Sequence, residues 1–427
     1  MVERPEDWTT DSTAALSLHL FDGPGHDQET ILQPKWTYAL FGETEQIFGY
    51  KKLRIRLYIH ALTLQTWLDV RYEEQLAVSL GVHMEPVEEI LLNHLPHQTK
   101  VCINGKVVSS DASQLKTVDV AAWKKAVVSE SRSGTQYKKP IHFYTRAGKT
   151  FAILKLALPD SQDCVSWMQI FSLLYIEGAS LIDEEDERFD VFVVYETQDG
   201  QPIRFVGYCT CYKYYFYDKA THAFDVVRYR ISQFLTLPHF QKQGHGGQLY
   251  DTIFADCQRD SKVLEVTVED PSEAFDDLRD RRDFSRLLRE RTLETLAGQG
   301  LIPSPAAISD ASRKAKMAPA QFRRMLELYL LRQANAPNKG KQPASSSFGR
   351  QLRLFIKRRI YKKNAAVLKL LDPSERKRKL AETYTAQVED YRRILKTLKV
   401  ESREAGNGIS DALNGSAEPA SKRVRVE

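Results

Sequence analysis

Between residues 188 and 270 the apolar positions come in dense blocks separated by polar turn residues. "RFDVFVVYE", "IRFVGYCTCYKYYFYD" and "VVRYRISQFLTLP" are rich in β-branched and aromatic residues, which predicts consecutive strands. "HGGQLYDTIFADCQRD" then sets Leu249, Ile253 and Phe254 at helical spacing, and "KVLEVTVED" predicts one more strand, ended by Pro271. Meandering antiparallel strands are thus followed by a strand–helix–strand crossover. "WMQIFSLLYIEG" before this region and "SEAFDDLRDRRDFSRLLRERTLETLAG" after it read as helices.

The pattern changes on either side. From about 15 to 135, short apolar runs mix with turn signals. "KLRIRLYIHALTLQTWLDVRYEEQL" opens with strand-like alternation and then loses it, while "VEEILLNHL" and "AAWKKAVVSE" predict short helices. From Pro303 onward no strand pattern appears. "PAQFRRMLELYLLRQ", "FGRQLRLFIKRRIYKKNAAVLKLL" and "SERKRKLAETYTAQVEDYRRILKTL" carry helical apolar spacing, the first two joined by the linker "ANAPNKGKQPASSS". Beyond Val400 there are too few apolar residues to fold. The expected class is α+β, in four parts. These are an N-terminal α+β domain (1–135), a central domain of mixed sheet and flanking helices (136–285), a C-terminal helical domain (286–400) and a disordered basic tail (401–427). A chain of 427 residues accommodates two or three units of roughly 150 residues each.

Composition narrows the class. Hydrophobic residues make up 42% and aromatic residues 10%, enough for packed domains. The polar N-terminus lacks a signal peptide's apolar run, and no apolar segment reaches the ~18 residues of a membrane span, so a soluble intracellular protein is expected. Five scattered cysteines argue against a disulfide framework, and Cys209 and Cys211 have no second pair at zinc spacing, so no metal is expected. The net charge of +5 is unevenly spread: "IEGASLIDEEDERFD" is acidic and "RQLRLFIKRRIYKKN" basic. Separate surfaces with different tasks are implied, and direct nucleic-acid binding is not.

The chemistry starts at "FLTLPHFQKQGHGGQLYDTIF". Glycine costs about 1 kcal/mol against alanine inside a helix, so Gly244, Gly246 and Gly247 at a helix start imply exposed backbone amides, a ready anion site. The dinucleotide fingerprint fails because Leu249 stands at its third glycine, and "GGQLY" lacks the lysine of a nucleotide-triphosphate loop. What remains is Gln241-x-x-Gly244-x-Gly246-Gly247 between a strand and a helix. A glycine-rich turn packing a helix onto a sheet is the alternative. The pattern resembles the motif with which the GNAT superfamily of N-acetyltransferases binds the pyrophosphate of acetyl-coenzyme A. "FGYKKL", "IEGASLIDEEDER", "VGYCTCYKYYFY", "QKQGHGGQLY" and "VEDPSEAFDDLRD" follow in this order, and together they resemble the type B histone acetyltransferase catalytic subunits over about residues 30–285.

That resemblance implies a GNAT-like sheet and a set of site residues. Glu269 matches the general base, with Asp270 and Glu177 as assisting acids; a solvated strand-end acid is the alternative for Glu269 and a helix-end surface acid for Glu177. Strand alternation sends Glu269 and Asp270 to opposite faces. Glu177 follows an apolar helix, so partial burial and a raised pKa are expected. Acetyl-coenzyme A is implied to contact Phe234, Leu235, Thr236, Gln241, Lys242, Gln243, Gly244, His245, Gly246 and Gly247, then Ser272 and Arg281. His245 is read as tolerated by the turn, not as catalytic, and Arg281 equally well as a surface-helix residue.

The acidic run Asp183–Asp186 is expected to attract a lysine-rich peptide. The resemblance lines the peptide's groove with Glu43, Thr44, Glu45, Phe189, Tyr212, Lys213 and Tyr214. Lys213 is unfavourable there unless it points away. The function implied is acetylation of lysines on free histones, chiefly the histone H4 tail, alongside a WD40-repeat histone-binding subunit, in cytoplasm and nucleus. The tail "PASKRVRVE" resembles a short import signal, with a random charged end as its alternative. A non-catalytic histone-binding scaffold, and an acetyltransferase for small amines or protein N-termini, are the competing readings.

Overall fold

The structure is a computed structural model that describes residues 5–22, 29–76, 84–108, 120–134, 139–218, 222–298, 302–335 and 347–413. The chain divides into two compact units, Met1–Asp270 and Pro271–Glu427.

In the first unit, the apolar blocks of the sequence assemble into a six-stranded sheet. Its strands, in order across the sheet, are β1 (His142–Arg146), β2 (Lys149–Ala157), β3 (Phe189–Gln198), β4 (Gln201–Asp218), β5 (Ala223–Thr236) and β6 (Val263–Val268). The first four ladders are antiparallel and β5 pairs β6 in parallel, the expected α+β class. Strand β3 is buried on both faces from Asp190 to Thr197, which is why "VFVVY" reads as an unbroken apolar run. The helix His245–Arg259 makes the β5–β6 crossover and buries Leu249, Tyr250, Ile253, Phe254 and Cys257. The helix Gln169–Tyr175 buries Ile170, Phe171, Leu173 and Leu174, with Phe171 stacked on Phe205 of β4. Cys209 and Cys211 are buried neighbours on β4 with their sulfurs 3.6 Å apart.

Nearer the N-terminus, a second six-stranded sheet orders Lys106–Val108, Lys100–Ile103, Thr66–Arg71, Arg54–His60, Leu16–Phe21 and Thr30–Leu32. The stretch whose alternation fails after a promising start is a strand pair, Arg54–His60 and Thr66–Arg71, joined by a tight turn that interrupts the period. The helix Val120–Gly134 sets Trp123, Val127 and Val128 against Phe21, Tyr58 and Trp67.

The second unit is helical among its described residues. The single long helix expected over 272–298 is two, Glu273–Arg289 and Thr292–Ala297, separated at Arg291, whose φ of 57° is left-handed. Pro305–Lys314, which the apolar pattern does not announce, is also helical. Phe284, Leu287, Phe322, Leu326, Leu352, Ile356, Val388 and Tyr391 share one core. Not every cation of the basic helix Ser347–Lys363 faces solvent: Arg359 turns in to the buried Glu327, which also accepts from the Tyr391 hydroxyl. The last helix runs from Pro373 past Val400 to Leu413; residues 414–427, with the basic terminus, lie outside the described residues. Among the described residues no helix is long and apolar enough to cross a membrane.

Candidate active site

The site forms where two parallel strands part. The β5–β6 ladder ends with the Glu269 N–H donating to the Ile231 carbonyl at 2.9 Å, while β5 continues to Thr236. Glu269 therefore stands at the mouth of the divergence, level with Ser232 and just short of Phe234, Leu235 and Thr236 along β5. Just before these, the β4–β5 register jumps from Thr210↔Gln233 to Cys211↔Ile231 and skips Ser232, a β-bulge. The bulge turns two neighbouring side chains to different tasks. Ser232 Oγ donates to Glu269 Oε2 at 2.7 Å, and the Gln233 amide donates inward to the Ser180 carbonyl at 2.8 Å. On β4, a Cβ at Gly207 would lie 2.3 Å from the Leu235 carbonyl oxygen, so only glycine lets the strands approach here.

The glycine loop follows. Pro238–Phe240 forms a single 3-10 turn, and the helix then opens at Gly244, whose φ of 91° is the left-handed conformation glycine tolerates. No side chain caps this helix and its first turn carries no acid, so the leading amides of His245, Gly246 and Gly247 remain available to an anion. The loop's own side chains brace it: Gln241 donates to the Thr236 carbonyl and Gln243 to that of His239, at 2.9 and 2.8 Å. Lys242 is exposed. His245 points inward. Its Nδ1 meets the Tyr144 hydroxyl at 2.8 Å and its ring sits edge-on to Phe151 and Phe240. Burial, helped by the Arg146 charge, lowers its pKa. Only its main chain can serve a ligand.

The β3–β4 side of the site is aromatic. Phe189 meets Tyr212 edge-on at 4.8 Å, and Tyr212 meets Tyr214 at 4.6 Å. Strand alternation turns Lys213 to the other face, where its ammonium lies 2.9 Å from the buried Asp190. The run Asp183–Asp186 is less open than its sequence suggests. Glu184 accepts from the Gln169 amide and is half-buried, which raises its pKa, and the Arg188 guanidinium holds Asp186 below the usual carboxylate range. Asp183 and Glu185 remain exposed.

A family model described as "Histone acetyl transferase HAT1 N-terminus" matches residues 8–177. A histone acetyltransferase type B catalytic subunit of Eremothecium gossypii is 36% identical over 408 residues, covering 92% of each chain. One of Schizosaccharomyces pombe is 36% identical over 377 residues, 87% of this chain and 89% of its own. The chain belongs to the histone acetyltransferase type B catalytic subunits. A solved aminoglycoside acetyltransferase from a soil metagenomic sample, in complex with sisomicin, covers 32% of this chain and 85% of its own at 18% identity and a TM-score of 0.22, too low to bear on the fold.

Several site residues expected in this type B acetyltransferase have particular local settings. Glu177 is exposed, against the partial burial expected of it, because the helix ends at Tyr175 and Gly178 turns the chain outward with a φ of 72°. Asp270 does not continue the strand alternation, since β6 has ended and its φ is 29°. The Glu45 carboxylate is taken by the Thr37 and Tyr38 amides at the start of the helix Tyr38–Phe41, while Glu43 and Thr44 are exposed. The helix Tyr38–Phe41 reaches the residue after Glu177, where the Gly178 N–H donates to the Tyr38 hydroxyl. Ser272 and Arg281 belong to the second unit. There Ser272 caps the helix Glu273–Arg289 by accepting from the Phe275 amide, and Arg281 donates to the Asp277 carbonyl.

Sequence reasoning passed over Arg146, whose guanidinium lies 3.3–3.5 Å from where a side chain on Gly244 would begin. It also passed over Ser232 and Arg230 beside Glu269.

Proposed function

We propose that this histone acetyltransferase transfers the acetyl group of acetyl-coenzyme A to lysines of free, newly made histones, chiefly on the H4 tail. Glu269 serves as the base, and Asp270 or Glu177 assists. The observation that carries the reading is the placement of Glu269. Its carboxylate is anchored by Ser232 at the mouth of the strand divergence, with the aromatic wall on one side and the β5 main chain on the other. At neutral pH only about one free lysine in a thousand is neutral, a deficit of about 4 kcal/mol, so a carboxylate that takes the proton is the group the reaction most needs.

Acetyl-coenzyme A supplies an acetyl group activated as a thioester. The chain's part is to bind and orient: the glycine-loop amides and Arg146 offer an anion seat, Phe234–Thr236 offer strand main chain, and Glu269 accepts the ammonium proton. The neutral amine then attacks the thioester carbonyl; the C–N bond forms, the C–S bond breaks, and the departing coenzyme sulfur takes up the second amine proton and leaves as the thiol. The same reading has the enzyme associate with a WD40-repeat histone-binding subunit and work in both cytoplasm and nucleus, with the basic terminus as the import signal.

The reading is tested by acetyl transfer from labelled acetyl-coenzyme A to an H4 tail peptide and to a small amine such as spermidine. A kcat/KM at least about 100-fold higher for the peptide is expected, and equal values would overturn the histone reading. A second expectation concerns the anion seat. Among the described residues no carboxylate pairs with Arg146, and a cation beside a helix N-terminus is unfavourable until an anion joins them. Calorimetric titration of Arg146→Gln should show acetyl-coenzyme A binding about three- to tenfold more weakly, as fits one partly exposed charge-assisted contact, with Arg146→Lys in between. Unchanged affinity in both would remove Arg146 from the site.

A further inference from the structure

Two arginines lie along the aromatic wall in the same way. The guanidinium carbon of Arg230 sits 4.4 Å from the centre of the Tyr214 ring. One of its nitrogens donates to the Tyr214 hydroxyl at 3.1 Å and reaches Glu269 Oε1 at 3.5 Å. Arg188 sits 4.9 Å from the centre of the Tyr212 ring and forms a two-pronged pair with Asp186, at 2.8 and 2.6 Å. Each tyrosine with its neighbouring acid makes a seat for a cation, and the chain's own arginine occupies each seat. Both occupants keep contact with water: the Arg188 side chain is 52% exposed and that of Arg230 30%. Arg188 and Arg230 thus stand where an incoming ammonium would go, and Arg230 competes with a lysine for Glu269 and Tyr214.

We propose that Arg188 and Arg230 are resident cations of the substrate groove, displaced from two acid–tyrosine seats when a lysine-rich peptide binds. The inference rests on the reading of the groove as a histone-tail site. The Glu269–Tyr214 seat receives the lysine to be acetylated, and the Asp186–Tyr212 seat receives a second basic side chain of the same peptide. Exchanging one cation for another gains little, so the residents act as competitors that weaken peptide binding. An exposed cation–aromatic contact changes an equilibrium constant by roughly two- to fivefold, which sets the expected effect of removing one.

The experiment uses the full chain with Arg230→Gln, Arg188→Gln and Arg230→Lys. Two H4 tail peptides serve as probes, one intact and one with every basic residue but a single lysine replaced by glutamine. Fluorescence anisotropy without acetyl-coenzyme A gives Kd, and steady-state kinetics give KM and kcat. Arg230→Gln should lower Kd and KM for both peptides about two- to fivefold. Arg188→Gln should do so for the intact peptide alone. Arg230→Lys should restore the original values, which a wall residue merely supporting Tyr214 would not do. Tighter binding in this pattern is the expected result. Binding unchanged or weakened in both glutamine variants overturns the inference while leaving the substrate reading in place. Failure of the intact enzyme to bind either peptide overturns the substrate reading and the inference with it.

Discussion

Glu269→Gln should lower kcat by about 10²–10⁴-fold while leaving the Kd for acetyl-coenzyme A within about twofold of the intact enzyme. The range is that of a positioned general base, and it fits the roughly 4 kcal/mol deficit of neutral lysine at pH 7. Glutamine keeps the size of the side chain and can still accept from Ser232 Oγ, so the strand mouth is preserved and the proton acceptor is lost. The proposed anion seat at the glycine loop consists of main chain and Arg146 and does not involve Glu269. Stopped assays with labelled acetyl-coenzyme A and a calorimetric titration check the two halves together. If turnover survives in Glu269→Gln, the base moves to Asp270 or Glu177. Both of those are exposed, as Glu269 is, but neither shares the Ser232 anchor.

The parts of this site differ in how far the sequence could announce them. The strands from Phe189 to Thr236 were legible because sheet burial selects β-branched and aromatic residues in runs. The glycine loop at the start of a helix was legible because glycines there are costly unless the backbone is needed. Lys213 could have been oriented from the period of two alone, since Tyr212 and Tyr214 flank it. Arg146 was not legible: it lies on β1, an edge strand brought to Gly244 by pairing across the sheet, and nothing local to "HFYTRAGKT" signals that approach. Ser232 was hidden for a similar reason. A bulge is a property of two strands in register, and a single strand's composition does not reveal it. The exposure of Glu177 depends on where a helix stops, the least certain boundary in a short apolar run.

Asp190→Ala should destabilise the first unit by about 2–4 kcal/mol. The Asp190 carboxylate is buried and accepts from the Tyr229 hydroxyl at 2.7 Å, with the Lys213 and Lys155 ammonium groups at 2.9 and 3.1 Å. Lys155 also reaches Asp256 at 2.8 Å. Burial works against the Lys155 charge, but the two carboxylates more than offset it and its pKa stands above the ordinary lysine value. Removing one partner of a buried pair costs about 3–5 kcal/mol. The cost is lower here because the two lysine side chains are 23% and 32% exposed and can turn toward water. For a unit of this size such a loss lowers Tm by about 5–15 °C, which a thermal melt reads directly. Function should suffer too. Asp190 neutralises Lys213, and an ammonium left uncompensated one residue from each tyrosine, although on the opposite face, raises the positive potential at the groove and with it the KM of a lysine-rich peptide. Lys213→Met added to Asp190→Ala removes that stray cation, so the double variant should recover the KM and part of the stability. A melt unchanged by Asp190→Ala would mean the pairs are solvated surface contacts; a KM still raised in the double variant would mean Asp190 acts on the groove by a route other than Lys213.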